Sequence, residues 1–255
     1  MNLLACDIGN SFIKLRTYST DDATSKLIKV PSDSFSADSI SGLKFDSAAI
    51  SSVVPKSTEL LTDILKKNFS ITPMLITNSS KFNLTVDYKT PATLGIDRIC
   101  AVEGAFRLFS DNVKNYSADD IIAAIDFGTA TTINTVMFEK RFTGGIIAPG
   151  MYLMADSLNK KTAQLPMIEL ENYNSIIGDS TVSAITSGII NATLGLIEKT
   201  IIELKKINSR YKFHIYITGG KADFISKHLS IEHELIPDLV LLGVKTIYQK
   251  NITHE

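Results

Sequence analysis

Cysteine, histidine and an excess of either charge are all scarce in this 255-residue chain, and each scarcity removes a class of function. The two cysteines, Cys6 and Cys100, stand in apolar surroundings with no second cysteine or histidine at zinc-ligand spacing. That argues against a zinc site and predicts buried thiols in a reducing compartment. The four histidines, at 214, 228, 233 and 254, lie outside every motif described below and take structural or solvent roles. With 26 Lys and Arg against 27 Asp and Glu, and no basic block, nothing suggests a nucleic-acid partner. No apolar stretch is read as membrane-spanning, and the N-terminus meets Asp7 too early for a signal peptide. The expectation is a cytoplasmic protein with no membrane partner.

What the chain has is apolar content, 44% of its residues, and enough length for one large domain or two ordinary ones. Leu3 to Cys6 reads as a strand ending at Asp7-Ile8-Gly9-Asn10-Ser11, and Phe12, Ile13, Leu15 and Tyr18 suggest a second strand, together a hairpin. Ala48 to Val54 is a buried strand, and Pro55 stands where a helix with Leu60, Leu61, Ile64 and Leu65 on one face begins. Residues 77–96 read as a polar loop before a helix over about Ile99 to Phe109, with Asp97 at its start. The polar segment 111–120 is the expected surface connection, dividing the chain into 1–115 and 116–255. Beyond it, Ile121 to Ile125 is a strand ending at Asp126-Phe127-Gly128-Thr129-Ala130-Thr131-Thr132, followed by a β-branched run through Phe138. Phe142 to Ala148 and Phe213 to Thr218 read as strands, Ser180 to Ile207 and Leu239 to Tyr248 as helices.

Asp-x-Gly followed by polar residues thus occurs twice, each time at a strand end before a second strand. It predicts a duplicated α/β unit with a ligand between the copies. Gly9 and Gly128 let a phosphate approach a turn whose N–H groups then donate to it, and Asn10, Ser11, Thr129, Thr131 and Thr132 add hydroxyl and amide groups. Asp7 and Asp126 suit a hydrated Mg²⁺, which takes oxygen ligands and keeps several waters. The competing reading of either motif alone is ordinary turn chemistry.

These paired loops resemble the two phosphate loops of the acetate kinase, sugar kinase, Hsp70 and actin superfamily. Thr218-Gly219-Gly220-Lys221-Ala222 resembles its adenosine-contacting loop. Within that superfamily, Tyr88 followed by Pro91 and Gly95-Ile96-Asp97-Arg98 resembles the substrate motif of the type III pantothenate kinases. Ser-Ser-Val-Val-Pro at 51–55, the segment 126–132, Gly-Gly-Ile-Ile-Ala-Pro-Gly at 144–150 and the segment 178–188 are similar to that family's segments, in its order. The resemblance implies duplicated ribonuclease H-like, actin-like ATPase domains with mixed sheets flanked by helices and a cleft between.

It also implies ATP-dependent phosphorylation of pantothenate, with Mg²⁺ and a monovalent cation, K⁺ or NH₄⁺, in a homodimer. Asp97 is then the base at the pantothenate hydroxyl, and Arg98 faces the substrate carboxylate with a two-pronged guanidinium. The plainer alternatives are a helix cap for Asp97 and a surface ion pair for Arg98. By resemblance, Tyr88, Gly95, Ile96 and Thr181 line the pantothenate pocket; Thr181 is alternatively a helix-start hydroxyl. Asp7, Ile8, Gly9, Asn10, Ser11, Phe12, Ile13, Lys14, Thr129, Gly219 and Gly220 are the expected ATP contacts, Asp7 reaching Mg²⁺ through water and Asp126 holding the monovalent cation. Two positions depart from the family pattern: Thr90 where Asn is usual, and Asn134 where Asp is common. The rivals are a superfamily kinase with another alcohol acceptor and a non-catalytic accessory protein of the same fold.

Overall fold

The computed structural model describes residues 2–19, 26–114, 116–137, 140–170 and 173–252; Asn115, Phe138 and His254 lie outside the described residues. The chain forms two compact units. One comprises Met1–Tyr116, Glu139–Gly144 and Asp238–Glu255, the other Ser117–Phe138 and Gly145–Pro237.

In the first unit, the apolar run at the N-terminus forms β1 (Leu3–Ile8), every residue of it buried. It pairs antiparallel with β2 (Phe12–Tyr18), which pairs with β3 (Ile28–Pro31), and parallel with β4 (Ser47–Ser52), which pairs with β5 (Met74–Leu75). The order is β3-β2-β1-β4-β5. Between β4 and β5 runs α1 (Pro55–Phe69), opened by a proline whose missing N–H costs nothing in the first turn. Leu61 and Leu65 of α1 pack on Cys6, Ile13 and Ile50 of the sheet. β6 (Thr85–Val86) pairs with residues 141 and 142, the opening of a longer strand described below.

Two further helices complete this unit, α2 (Ile96–Asn112) and the terminal helix over Leu239–Ile252. Their backbones touch: a Cβ on Gly104 would stand 2.3 Å from the Leu239 carbonyl oxygen, and one on Gly243 1.8 Å from that of Cys100. Any side chain at either glycine would force the helices apart. Arg16 and Tyr18 of β2 also grip Asp238, just ahead of the terminal helix, by an ion pair and a 3.1 Å hydrogen bond. The linear division at 115/116 therefore differs from the one observed, because this last helix returns to the first unit. Local sequence carries no sign of so distant a contact.

The second unit repeats the plan. β7 (Asp120–Phe127) pairs antiparallel with β8 (Ala130–Met137) and parallel with β10 (Lys212–Thr218). β9 (Arg141–Pro149) enters beside β8, and β11 (Glu234–Leu235) beside β10, so that with β6 on the far edge of β9 the sheet runs β6-β9-β8-β7-β10-β11. α3 (Met151–Lys161), α4 (Thr181–Ile207) and the short α5 (Ala222–Ser226) supply the helical layer. The terminal helix of the chain is α6. Contrary to expectation, α4 is long and apolar enough by length and composition to cross a membrane. One face of it explains that composition: Ile185, Ile189, Ile190, Leu194, Ile197 and Ile201 enter the core of the unit.

Candidate active site

In the first unit the β1–β2 turn closes on the Gly9 N–H, which donates to the Phe12 carbonyl at 3.0 Å, and Ser32 braces it by donating its hydroxyl to the Gly9 carbonyl at 2.9 Å. Asn10, Ser11 and Phe12 are exposed here, whereas Ile8 and Ile13 are buried in the core, so any part they have in ATP binding falls to their backbone groups. The Lys29 ammonium lies over the Phe12 ring at 3.8 Å. Asp7 sits near the end of β1, 7% exposed, with Lys14 opposite it on β2 and Ser51 opposite it on β4.

Asp97 lies in the first turn of α2, which starts at Ile96 with Gly95 as its cap, three residues earlier than the sequence pattern indicated. The aspartate is therefore inside the helix and is not its capping residue. Burial pushes the Asp97 carboxyl above its ordinary value of 3.8, against the opposing pull of the Arg98 backbone N–H, the Arg98 charge, its own N–H and the Lys14 charge. Cys100, one turn on, is buried beside Ser51; burial raises its thiol foremost, the Ser51 hydroxyl pulls it down, and the charges of Asp7, Asp97 and Glu103 add to the rise. Residues from β1, β4 and α2 thus converge around one buried thiol, Asp7, Ser51, Asp97 and Glu103, and Lys14 of β2 acts on Asp97.

Arg98 is buried, at 7% exposure, so the surface ion pair does not describe it. Its guanidinium carbon stands 5.7 Å from the Tyr88 ring centre and 5.8 Å from that of Phe142, and the two rings stack at 6.1 Å. Gly144 carries φ +128, and a Cβ there would meet the Tyr88 ring at 3.4 Å. An aromatic bed of this kind orients a guanidinium and leaves its edge for a planar anion. Ile96 is buried and Gly95 half-buried beside these residues. A Cβ on Gly95 would be 2.5 Å from the Asp97 carboxylate, so glycine there keeps that carboxylate in place. Thr90, the first departure from the family pattern, caps a short 3-10 turn and accepts the Thr93 hydroxyl at 3.0 Å. No local pattern in the sequence marks Phe142 or Ser51; only the fold brings them to this place.

In the second unit Asp126 lies near the end of β7, with Thr132 on β8 and Thr218 on β10 as its register neighbours. The Gly128 N–H donates to the Ala130 carbonyl at 3.1 Å, and the Gly150 N–H, at the start of α3, donates to that of Thr129 at 3.0 Å. Gly219 has φ +105, and a Cβ there would lie 2.4 Å from the Asp126 carboxylate and 2.5 Å from the Phe127 nitrogen. Glycine is thus obligatory at Gly219. At Gly128 a Cβ would meet the Asp126 carboxylate at 3.5 Å, an ordinary contact, so folding does not demand glycine there and the space above the turn stays open. Thr129 and Gly220 are exposed, and Lys221 lies over the Tyr152 ring at 4.8 Å. Thr181 is exposed as the first residue of α4, whose cap is Ser180. Asn134, the second departure, is buried and donates to the Thr132 hydroxyl at 3.1 Å. Among the described residues no three His, Cys, Asp or Glu side chains stand together. Single carboxylates joined by hydroxyls, carbonyls, water and phosphate oxygens fit hydrated Mg²⁺ and K⁺.

The model of one family, type III pantothenate kinase, matches residues 3–203. The chain belongs to the type III pantothenate kinase family. It is 38% identical over 197 residues to the type III pantothenate kinase of Sulfurihydrogenibium sp. (strain YO3AOP1), covering 76% of this chain and 73% of that protein. It is likewise 38% identical over 205 residues to that of Legionella pneumophila (strain Corby), covering 80% and 76%. Among solved structures, a protein described as a Baf family transcriptional activator from Campylobacter jejuni superposes with TM-score 0.58 at 22% identity over 97% of both chains. Component A of the (R)-2-hydroxyglutaryl-CoA dehydratase of Acidaminococcus fermentans gives 0.50 at 15% identity over 99% and 100%. These two likenesses speak to the fold, the duplicated ribonuclease H-like architecture.

Proposed function

We propose that Asp97 and Arg98 carry the acceptor chemistry of this family's reaction, the ATP-dependent phosphorylation of pantothenate to 4′-phosphopantothenate that opens coenzyme A synthesis. The chain is a pantothenate kinase by its family. The observation that carries the site assignment is the Asp97–Arg98 pair at the start of α2, the carboxylate half-buried and the guanidinium buried, on the same unit as Asp7, Lys14 and the Gly9 turn.

Pantothenate offers a hydroxyl and a carboxylate, and the pair answers each group. The Arg98 fork binds the carboxylate with parallel hydrogen bonds, over a bed of Tyr88 and Phe142 that Lys could not use as well. Asp97 accepts the hydroxyl proton as the oxygen–phosphorus bond forms and the bond to the ADP oxygen breaks. A carboxylate is a weak base toward an alcohol, and the burial that raises its pKa brings it closer to the task. Lys14 and the N–H groups of the Gly9 turn are the proposed phosphate donors of the first unit, with Asp7 holding Mg²⁺ through water. The Gly128 turn, Thr129 and the Gly219-Gly220 loop are the nucleotide contacts proposed for the second unit, with Asp126 at the monovalent cation. Mg²⁺, when bound, neutralises the phosphate charge that develops in the transfer. Thr181, a homodimeric assembly and a cytoplasmic location complete the proposal on family grounds.

The test is product identification. With ATP, Mg²⁺, K⁺ and pantothenate, the purified chain is expected to release ADP in step with 4′-phosphopantothenate, read by mass spectrometry. ATP binding with no turnover on pantothenate or on other alcohols would replace the kinase reading with a non-catalytic one.

A further inference from the structure

Glu103 is fully buried in α2, where the phosphoryl transfer calls for no carboxylate. It accepts hydrogen bonds from one short stretch of chain: the backbone N–H of Asn83 at 2.7 Å and of Leu84 at 3.0 Å on one oxygen, and the Asn83 side-chain amide at 2.9 Å on the other. Removing a carboxylate from water costs several kcal/mol, and a well-packed apolar side chain is often at least as stabilising in its place. A carboxylate that keeps both oxygens on one loop therefore marks a constraint on that loop.

The loop leads directly to the proposed acceptor site. From Leu84 the chain enters β6, bonded to 140 and 142 through the N–H groups of Thr85 and Asp87 at 2.8 and 3.0 Å, and then reaches Tyr88. Just before the Glu103 contact, Lys81 is clasped by Asn251 of α6, its N–H and carbonyl bonded at 3.0 and 2.9 Å. Arg98 belongs to the same helix as Glu103, within two turns of it. One rigid element thus carries both the guanidinium and the anchor of the strand that brings the ring beneath it.

We infer that Glu103 is a positioning residue for the acceptor site, locking residues 83–88 to α2 so that Tyr88 stays under the Arg98 guanidinium and the fork faces the substrate carboxylate. This rests on the acceptor role proposed above for Arg98. Glu103 touches neither substrate nor nucleotide and acts through Tyr88.

Steady-state kinetics of the wild type, Glu103→Met, Glu103→Gln and Asn83→Ala, with pantothenate and ATP varied separately, test it. Glu103→Met is expected to raise the pantothenate KM about tenfold or more while the ATP KM stays within about twofold, the split that loss of acceptor positioning produces. Glu103→Gln keeps one oxygen for the two backbone donors, and the Asn83 amide can turn its oxygen to the new NH₂, so its pantothenate KM should stay within about twofold of wild type. Asn83→Ala removes one bond and should raise that KM by about threefold, which decides the matter if Glu103→Met does not fold. A Glu103→Met enzyme with lowered kcat and unchanged pantothenate KM would overturn the inference, as would Glu103→Gln behaving like the methionine variant or Asn83→Ala leaving KM unmoved. A wild type with no pantothenate-dependent turnover would remove the functional reading and this inference together. Turnover in the wild type with an unmoved KM in the variants would remove this inference alone.

Discussion

The five-stranded order β3-β2-β1-β4-β5 recurs as β9-β8-β7-β10-β11 within the six-stranded second sheet, but the two differ in what flanks the aspartate at the end of the central strand. Asp7 has Lys14 and Ser51 as register neighbours; Asp126 has Thr132 and Thr218. A lysine opposite the carboxylate suits anionic phosphates with a water-bridged Mg²⁺, whereas neutral hydroxyls opposite it suit a large, weakly hydrated cation. The frame supplies the positions and the strand neighbours supply the chemistry.

If the acceptor is handled by Asp97 and Arg98 of the first unit and the second unit contributes nucleotide contacts alone, variants at these two places should separate kinetically. The largest effect is expected from Arg98→Met, with kcat/KM for pantothenate lower by about 100-fold and the ATP KM nearly unchanged. Gly128→Ala should do the reverse, raising the ATP KM about tenfold with the melting temperature intact, because the added Cβ fills only the space above the turn. Gly219→Ala should instead lose stability, by about 1–3 kcal/mol from the left-handed backbone, since its Cβ meets Asp126 and Phe127. Asp126→Ala is expected to abolish a severalfold preference for K⁺ over Na⁺; equal rates of the wild type in the two buffers would break the comparison at this point.

The smallest effects are in stability against pH, and they take opposite signs in the two units. Burial raises the folded pKa of Asp97 and of Glu103, so their contributions are fully present below the unfolded values and are lost as pH rises through the folded ones. Glu103→Gln should therefore gain on the wild type as pH moves from acid to neutral. In the second unit, burial tends to raise Asp120, but bonds from Ser117 at 2.7 and 3.0 Å and from His214 at 2.9 Å outweigh it and lower the pKa. That contribution is present above the unfolded value and lost as pH falls through the folded one, so Asp120→Asn should cost most near neutral pH. Differences of a few degrees, roughly, in melting scans would resolve both trends in domains of this size.

Much of the frame was legible in the sequence because it is locally encoded. The two hairpins, α1 behind its proline and α4 with its apolar period all stand in the letters. Nothing local announces α3, since Pro149-Gly150 suggests only a turn, yet Gly150 caps that helix with its N–H on the Thr129 carbonyl. The site motifs were visible as short strings, Gly95-Ile96-Asp97-Arg98 above all. What made them a site was not visible: Phe142 beneath Arg98, Ser51 beside Cys100, and Glu103 on the 83–84 loop are contacts between distant segments. No local pattern encodes such contacts, because they follow from register and from the close crossing of α2 and α6.

The central claim, that the half-buried Asp97 serves the reaction and not the fold, is tested most directly by Asp97→Asn, with pantothenate-dependent ADP release and thermal melting measured on one preparation. Turnover is expected to fall by about 100-fold or more, while the melting temperature at neutral pH holds or rises, because the amide needs no charge in that setting. Turnover near the wild-type rate, or a loss of activity matched by a collapse in melting temperature, would contradict it.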